Sequence, residues 1–185
     1  METWIDSQVV FSGRVFSVRT GNVCLDDSNI ARRDIVEHSG GVAIVPIIDN
    51  NVIFIRQFRV SIGREIIEIP AGRLEINETP ESCAYREIQE ELGYCAERLE
   101  LAHSYYSSVG FTNERMYVYL GLDLRETKRQ LEWDERIQMI RLPITDVETK
   151  LRGGEFEDSK TIIGLYAMLS YLKENATLSK GLVHS

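Results

Sequence analysis

Three glutamates crowd one short segment of this sequence. Glu87, Glu90 and Glu91 lie within five residues, inside the stretch AGRLEINETPESCAYREIQEELGY at 71–94. Like charges at helical spacing repel by about 0.2–0.5 kcal/mol per pair, so we expect a positive partner among them. Clustered carboxylate oxygens suit Mg²⁺ or Mn²⁺, which keep several waters and bridge to substrate phosphates. The segment therefore points to a divalent-metal site for a phosphate compound.

A single helix at about 80–92 is expected to position these carboxylates. Thr79 can cap its start, Pro80 suits the first helical position, and Gly93 suits the residue just past its end. At ~100° per residue the glutamates fall in an arc beside the apolar face. The residues of that apolar face are Ala84, Ile88 and Leu92.

The alternative is a solvated acidic face, which is the commoner reason for a run of charge. Arg86 can form an i,i+4 pair with Glu90. Glu87 and Glu91, however, also stand at i,i+4 and have no lysine nearby in the sequence. This uncompensated pair favours the metal site over the solvated face.

The composition is that of one ordinary globular domain. The chain has 185 residues, 43% apolar and 27% charged content, and a net charge of −8. An acidic chain argues against a large nucleic-acid surface, and no apolar run has the ~20 residues of a membrane span. The N-terminus lacks the features of a secretory signal, and three unpaired cysteines suit reduced thiols. We therefore predict a cytoplasmic protein.

Strand-forming runs dominate the chain and are interrupted by helical segments. Apolar periodicity predicts helices over 80–92 and 159–173 and a shorter one over 145–151. This order predicts an α/β or α+β sandwich, in which helices cover a mainly antiparallel or mixed sheet. The strand runs are QVVFSGRVFSVRTGNVCL, RRDIVEHSGGVAIVPII, NVIFIRQFRV, LELAHSYY, RMYVYLGLDL and RIQMIRLPI.

The glutamate segment resembles the Nudix box, G-x5-E-x7-R-E-U-x-E-E-x-G-U, where U is a bulky apolar residue. Tyr94 serves as the final apolar residue, and a pattern filled at so many spaced positions is highly specific. Outside the box, FIRQFR, EIIEIPAG, SSVGFTNE and DSKTIIGL resemble the ADP-ribose pyrophosphatase branch of Nudix hydrolases. The fixed positions are filled by Gly72, Glu78, Arg86, Glu87, Ile88, Glu90, Glu91 and Gly93.

This resemblance implies a Nudix α/β/α sandwich with a small N-terminal antiparallel sheet. It divides the chain into N-terminal strands at 1–38, which form a homodimer, a Nudix domain at 39–175, and a frayed tail at 176–185. The implied ligands of Mg²⁺ or Mn²⁺ are the carboxylates of Glu87, Glu90 and Glu91 and the carbonyl of Ala71. The ions would neutralise a pyrophosphate and activate the attacking water.

Other box residues and a late loop complete the implied chemistry. Arg86 is implied to orient the glutamates, and Glu78 to tie down the loop or to support the residues that surround the ligands. In this branch the general base often lies on a late loop, here QLEWDERIQ at 130–138. If Ile137 fixes the register, Glu135 takes one of the two usual glutamate positions but Trp133 takes the other.

We therefore expect Glu135 to act as the base or as a further metal ligand. Glu132 or Asp134 would compensate for Trp133. The alternative for Glu132 and Asp134 is an exposed acidic turn, because loop registers are poorly fixed by one sequence.

Substrate contacts are implied at residues outside the box. Alternation along a strand puts Arg56 and Arg59 on opposite faces, and by similarity Arg59 is the candidate for the diphosphate or terminal ribose, since a guanidinium clamps phosphate well. Glu68 is a candidate for a ribose hydroxyl or for support of the metals, with an edge-strand carboxylate as the alternative. Glu114 resembles an active-site loop position.

The N-terminal region is implied to help enclose the adenine and to pair with a second subunit. An aromatic ring or a guanidinium plane can stack on a base, and Phe16 and Arg33, with Arg32 beside it, are the candidates. An isolated phenylalanine in a strand is nevertheless more often a core residue.

The predicted function is Mg²⁺-dependent hydrolysis of ADP-ribose to AMP and ribose 5-phosphate. Val109 stands where the ADP-ribose branch commonly has a proline, so another nucleoside diphosphate sugar, such as ADP-glucose or GDP-mannose, or a broad specificity, is the alternative. A non-catalytic Nudix module that senses a nucleotide is a further alternative. The complete box and the lack of a basic extension favour an enzyme.

Overall fold

The alternating apolar runs of the sequence form two separate sheets. A computed structural model describes residues 1–131, 133 and 135–181. The chain divides into two compact units: Met1–Gly41 with Tyr105–Met116, and Val42–Ser104 with Tyr117–Ser185. Among the described residues, no helix has the length and hydropathy that crossing a membrane requires.

The N-terminal unit contains a three-stranded antiparallel sheet in the order β1-β2-β3. Its strands are β1 Thr3–Ser12, β2 Phe16–Cys24 and β3 Ile30–His38. Strand β1 starts five residues before Gln8, where the first predicted run begins, and every residue of β1 is exposed. The second segment of this unit joins β3 through a bridge between Val36 and Thr112.

The second unit is built on a seven-stranded mixed sheet in the order β10-β5-β4-β9-β8, with β6 paired to β5 and β7 paired to β4. Its strands are β4 Gly41–Ile48, β5 Asn51–Arg59, β6 Arg64–Glu68, β7 Ala71–Arg73, β8 Tyr94–Tyr106, β9 Arg115–Glu126 and β10 Gln138–Pro143.

Helices flank the sheet of the second unit. They are α1 Pro80–Glu87, which continues as one π-helical turn over Ile88–Leu92, α2 Ile144–Arg152 and α3 Ser159–Gly181. The predicted apolar face of α1 and its π turn is buried with Ile53 and Ile55 of β5. Between these two residues in β5 lies Phe54, which stacks on Phe156 at a centroid distance of 5.3 Å.

Helix α3 approaches the sheet closely at Gly164, where an added Cβ would lie 2.9 Å from side chains of Val45 and Ile69. Because side chains alternate along the strands, both faces of the sheet of the second unit carry buried apolar residues. The predicted α/β/α sandwich with an additional N-terminal sheet is confirmed.

The C-terminal helix is longer than predicted. We expected it to end near residue 173, but α3 continues to Gly181. The sequence between these points contains neither proline nor glycine before Gly181, so no residue type there interrupts the helix.

Candidate active site

The ends of the glutamate helix are fixed by the residues that the sequence indicated. The Thr79 hydroxyl accepts a hydrogen bond from the amide of Ser82 at 3.2 Å, and Pro80 occupies the first turn. Gly93 ends the helix in the left-handed conformation with φ of 72°, which glycine adopts without strain. The predicted helix at 80–92 is therefore confirmed in its limits, although its last turn is of the π type.

Carbonyls at the end of the π turn are bound by a distant segment. The guanidinium of Arg129 donates to the carbonyl of Glu91 at 2.6 Å, and the amide of Gln130 donates to the carbonyl of Glu90 at 3.2 Å. The amide of Thr127 donates to the carbonyl of Gly93 at 2.8 Å. These bonds satisfy groups that a helix end leaves without a partner inside the helix.

Two of the three clustered glutamates are buried. Glu91 is only 3% exposed, and Glu87 is 7% exposed. The amide of Ala71 donates to Oε2 of Glu91 at 3.1 Å. Glu87 lies against Gly72, where an added Cβ would be 1.7 Å from its Oε1. Strand β7, which precedes the helix, therefore lies against both carboxylates.

Arg86 connects the remaining acidic residues. Its Nε and Nη2 donate to the two carboxylate oxygens of Glu78 at 2.9 and 3.0 Å, and its Nη1 donates to Glu87 at 2.7 Å and to Glu90 at 2.9 Å. The predicted i,i+4 pair with Glu90 is thus present. The Arg86 hydrogen bonds lower the pKa of Glu78 to about 2. Glu78 in turn accepts from the amide of Glu75 at 3.0 Å and fixes the loop.

Negative charge in this cluster exceeds what Arg86 neutralises. Burial raises the pKa of Glu87 to about 7, and the charges of Glu90 and Glu135 add to the rise while Arg86 opposes it. Burial also raises the pKa of Glu91 well above its ordinary value, and the charges of Glu87 and Glu135 add to this. Glu135 therefore acts electrostatically on both buried carboxylates.

A second charged cluster surrounds Glu68, which is 2% exposed at the end of β6. Arg59 donates to both its oxygens, from Nε at 2.6 Å and from Nη2 at 2.9 Å, and Lys160 pairs with Oε2. Burial acts to raise the pKa of Glu68, but these two cations lower it overall. The Arg59 charge also acts on Glu91, which relates the two clusters.

Comparison with known proteins decides the family. A family model described as a NUDIX domain matches residues 37–163. The chain belongs to the Nudix hydrolase family. An ADP-ribose pyrophosphatase of Bacillus subtilis (strain 168) is 37% identical over 163 residues, which are 86% of this chain and 88% of that protein.

Two further matches describe the range of the relatives. A methanol dehydrogenase activator of Bacillus methanolicus is 35% identical over 167 residues, covering 89% of this chain and 90% of that one. A solved structure of an ADP compounds hydrolase matches with a TM-score of 0.84 at 21% identity, covering 94% of this chain and 95% of the other. This second likeness shows a shared Nudix fold.

Arg86 brings together Glu78, Glu87 and Glu90 of the Nudix box, and the charge of Glu135 acts on Glu87 and Glu91. Among the described residues, no three acidic, histidine or cysteine side chains converge as a ready-made metal site. The reason is visible in the contacts, because Arg86 binds Glu87 and Glu90 while the amide of Ala71 binds Glu91. Hard oxygen donors and excess buried negative charge nevertheless fit a divalent cation.

Three further predicted residues of this Nudix hydrolase are described within their own unit. Phe16, Arg33 and Glu114 belong to the N-terminal unit. Phe16 is exposed at the start of β2, Arg33 donates to Glu2 at 2.9 and 2.6 Å, and Glu114 lies 3.6 Å from Nδ1 of His38. The partners Glu2 and His38 belong to the same unit.

Two positions that departed from the family pattern are both on the surface. Val109 is 82% exposed, and Trp133 is 84% exposed. Glu132 and Asp134 lie outside the described residues, so the predicted loop register rests on Glu135 and on Ile137, which is buried.

Lys160, Asp158 and Thr161 were not predicted from the sequence as parts of this region. The only local sign was DSKT before an apolar helical run, in which an aspartate can cap the helix. The contact of Lys160 with Glu68 spans 92 residues of sequence. A pairing of this kind has no local signature.

Proposed function

We propose that this Nudix hydrolase splits the pyrophosphate bond of ADP-ribose into AMP and ribose 5-phosphate. The observation that carries the proposal is the buried pair Glu87 and Glu91. The amide of Ala71 in β7 donates to Glu91, and the charges of Arg59 and Glu135 act on the Glu91 carboxylate. The likeness to the ADP-ribose pyrophosphatase of Bacillus subtilis supports the choice of ADP-ribose.

A divalent cation, Mg²⁺ or Mn²⁺, is part of this proposal. Glu87, Glu90, Glu91 and the carbonyl of Ala71 would hold it, because they supply hard oxygen donors beside uncompensated negative charge. When bound, the cation neutralises the pyrophosphate and makes water a better nucleophile. The donor set suits either ion.

The protein side chains have separate tasks in the proposed reaction. The Glu135 carboxylate accepts the proton of the water that attacks phosphorus. Arg59 uses Nε and Nη2 for Glu68, so its Nη1 is directed away from Glu68 and can donate to a diphosphate oxygen. Arg86, itself bound by Glu78, keeps Glu87 and Glu90 in position to hold the cation.

The N-terminal unit is proposed to supply further substrate contacts through Phe16, Arg33 and Glu114. Phe16 offers an exposed ring and Arg33 a guanidinium plane, either of which can stack on adenine. We also propose a cytoplasmic homodimer formed by the N-terminal strands at 1–38. The apolar side chains exposed along β1, including Trp4 and Phe11, support a covered surface there. Light scattering after gel filtration tests the dimer.

Another nucleoside diphosphate sugar is the second candidate substrate. Val109 takes the place at which the ADP-ribose branch commonly carries a proline, so the loop 107–110 lacks that rigid residue. ADP-glucose and GDP-mannose are the alternatives. They leave the chemistry unchanged and alter only the sugar or base that is recognised.

The deciding experiment measures phosphate release in a phosphatase-coupled assay. ADP-ribose, ADP-glucose, GDP-mannose, UDP-glucose, NADH and diadenosine polyphosphates are each tested with Mg²⁺, Mn²⁺ or EDTA. Metal-dependent cleavage dominated by ADP-ribose is the expected result, and preference for another sugar nucleotide would replace the substrate. Tight binding of one compound without cleavage would show a nucleotide sensor instead.

A further inference from the structure

Residues 68–72, from the end of β6 to the first residue of the Nudix box, are held by contacts at successive positions, beginning with the first two residues. Glu68 binds Arg59 and Lys160. The amide of Ile69 donates to the hydroxyl of Thr161 at 3.0 Å, and both residues are fully buried. The first two residues of this segment are therefore attached to the start of α3.

The next three residues are attached to the sheet and to the box helix. The carbonyl of Pro70 accepts from the amide of Ile44 at 2.9 Å, and the amide of Ala71 donates to Glu91 at 3.1 Å. Gly72 lies against a box carboxylate. A shift at the start of the segment would therefore be transmitted to the backbone that holds the buried glutamates.

The start of α3 is itself held by Asp158. Its Oδ2 accepts from the amide and hydroxyl of Thr161 at 2.9 and 2.6 Å, as a helix cap does, and its Oδ1 lies 2.9 Å from Nζ of Lys160. Lys160 is only 15% exposed as a side chain and thus lies between two carboxylates, Asp158 and Glu68.

Lys160 shares the charge of Glu68 with Arg59. Arg59 binds both oxygens of Glu68, and Lys160 adds a second cation on Oε2. With Lys160 removed, Glu68 would keep Arg59 but lose its link to the start of α3, so the carboxylate and the guanidinium bound to it would shift together.

We propose that Lys160 is a positioning residue, which sets Arg59 for the substrate diphosphate and anchors residues 68–72. The inference rests on the proposed function in assigning the diphosphate to Arg59. Lys160 acts through Glu68 and needs no contact with the substrate. Its larger effect is on substrate binding, since Arg59 binds Glu68 directly, whereas Glu91 is reached only through Ala71.

Kinetics of Lys160→Met test the first half of this inference. KM for ADP-ribose should rise about tenfold, because Arg59 is displaced from the diphosphate, and kcat should fall by a smaller factor, because the anchored segment also contacts Glu91 through Ala71. Lys160→Arg should restore KM to within about threefold of wild type. Lys150→Met is the matched control, since Lys150 lies on α2 and the substitution breaks its exposed ion pair with Glu155. An equal KM in Lys160→Met and Lys150→Met would overturn the proposal.

A double-mutant cycle separates positioning from a general loss of stability. In an Arg59→Met background, Lys160→Met should change KM by less than about threefold, because coupled residues are not additive. A rise as large as that in the wild-type background would contradict action through Arg59. If Lys160→Met does not fold, Lys160→Gln takes its place in both measurements.

Hydrogen exchange tests the second half without any substrate. The amides of Ile69 and Ala71 should exchange at least about tenfold faster in Lys160→Met than in wild type, because local opening sets their protection. Lys150→Met should leave them unchanged. Unaltered exchange in Lys160→Met would refute the anchoring role. Wild-type protein that cleaves no compound would refute the proposed function, and the exchange result would still decide the anchoring role.

Discussion

The carboxylate of Glu87 occupies the space that a side chain at position 72 would need, since a Cβ added to Gly72 would lie 1.7 Å from Oε1 of Glu87. Real Cβ atoms do not approach an oxygen so closely, so position 72 requires glycine for space. Strand β7 and the glutamate helix therefore meet at Gly72 with no room for a methyl group. Any substitution there displaces a buried carboxylate.

Gly72→Ala should lower kcat by more than about tenfold, because it moves a side chain of the reaction site away from its place. The atoms that must move are the far end of a side chain, so we expect the protein to remain folded. Steady-state kinetics and thermal unfolding check both statements. Gly153→Ala at the end of α2 is the control, because its added Cβ would meet nothing closer than 3.3 Å. Full activity in Gly72→Ala would show that Glu87 is not needed where it lies.

Glu91→Gln should lower turnover by more than about tenfold while the thermal midpoint stays equal or rises. The substitution removes a charge that is both buried and close to Glu87, and relief of such repulsion favours the folded state. The amide of Ala71 can still donate to the glutamine oxygen. Assays and thermal unfolding are compared with Glu81→Gln, an exposed residue in the first turn of α1. Unchanged turnover would remove Glu91 from the reaction site.

Glu135→Gln should chiefly lower kcat, by more than about tenfold, if its carboxylate accepts the proton of the attacking water. KM should change little, because a glutamine of the same size leaves the diphosphate contacts in place. Kinetics of Glu132→Gln, measured in parallel, supply the comparison. A larger loss in Glu132→Gln would show that the loop register is shifted.

Glu78 should stabilise the fold in a manner that depends on pH. Its pKa is lowered to about 2 by Arg86, so the stabilisation is full above its ordinary pKa and is lost as the pH falls towards 2. Glu78→Gln should reduce the free energy of unfolding by about 1–3 kcal/mol at pH 7. Urea unfolding at several pH values between 7 and 3 measures this difference, which should shrink below about pH 5.

The exposed Glu65 provides the control for this measurement. Glu65→Gln should change the free energy of unfolding by less than about 0.5 kcal/mol at every pH, as surface substitutions commonly do. A difference between wild type and Glu78→Gln that stayed constant with pH would show that the effect is not electrostatic.

Features set by neighbours in the sequence were predicted well. The limits of the glutamate helix follow from Thr79 and Gly93, because caps depend on groups within one helical turn. The pair of Arg86 with Glu90 follows from spacing. The Nudix pattern identified the family. In each case the information lies within a few residues of where it acts.

Features set by distant parts of the chain were not predicted. The π turn is accompanied by bonds from Thr127, Arg129 and Gln130 to carbonyls at the helix end. The anchoring of Glu68 depends on Lys160, far along the sequence. One chain without its fold cannot reveal such pairs, because their spacing follows from sheet and helix packing.

The anchored segment at 68–72 also limits how this protein can be cut and rejoined. New termini or inserted peptides are tolerated where the backbone is exposed and few bonds hold it. A short connection of that length would ordinarily qualify, yet here successive residues are tied to different parts of the fold. The turn at Gly154 differs, because the hydrogen bond of its amide is local, to the carbonyl of Leu151 at 3.2 Å, and nothing lies within 4 Å of its added Cβ. A circular permutant opened at Gly154 would keep the reaction site intact, whereas one opened at residue 70 would lose it.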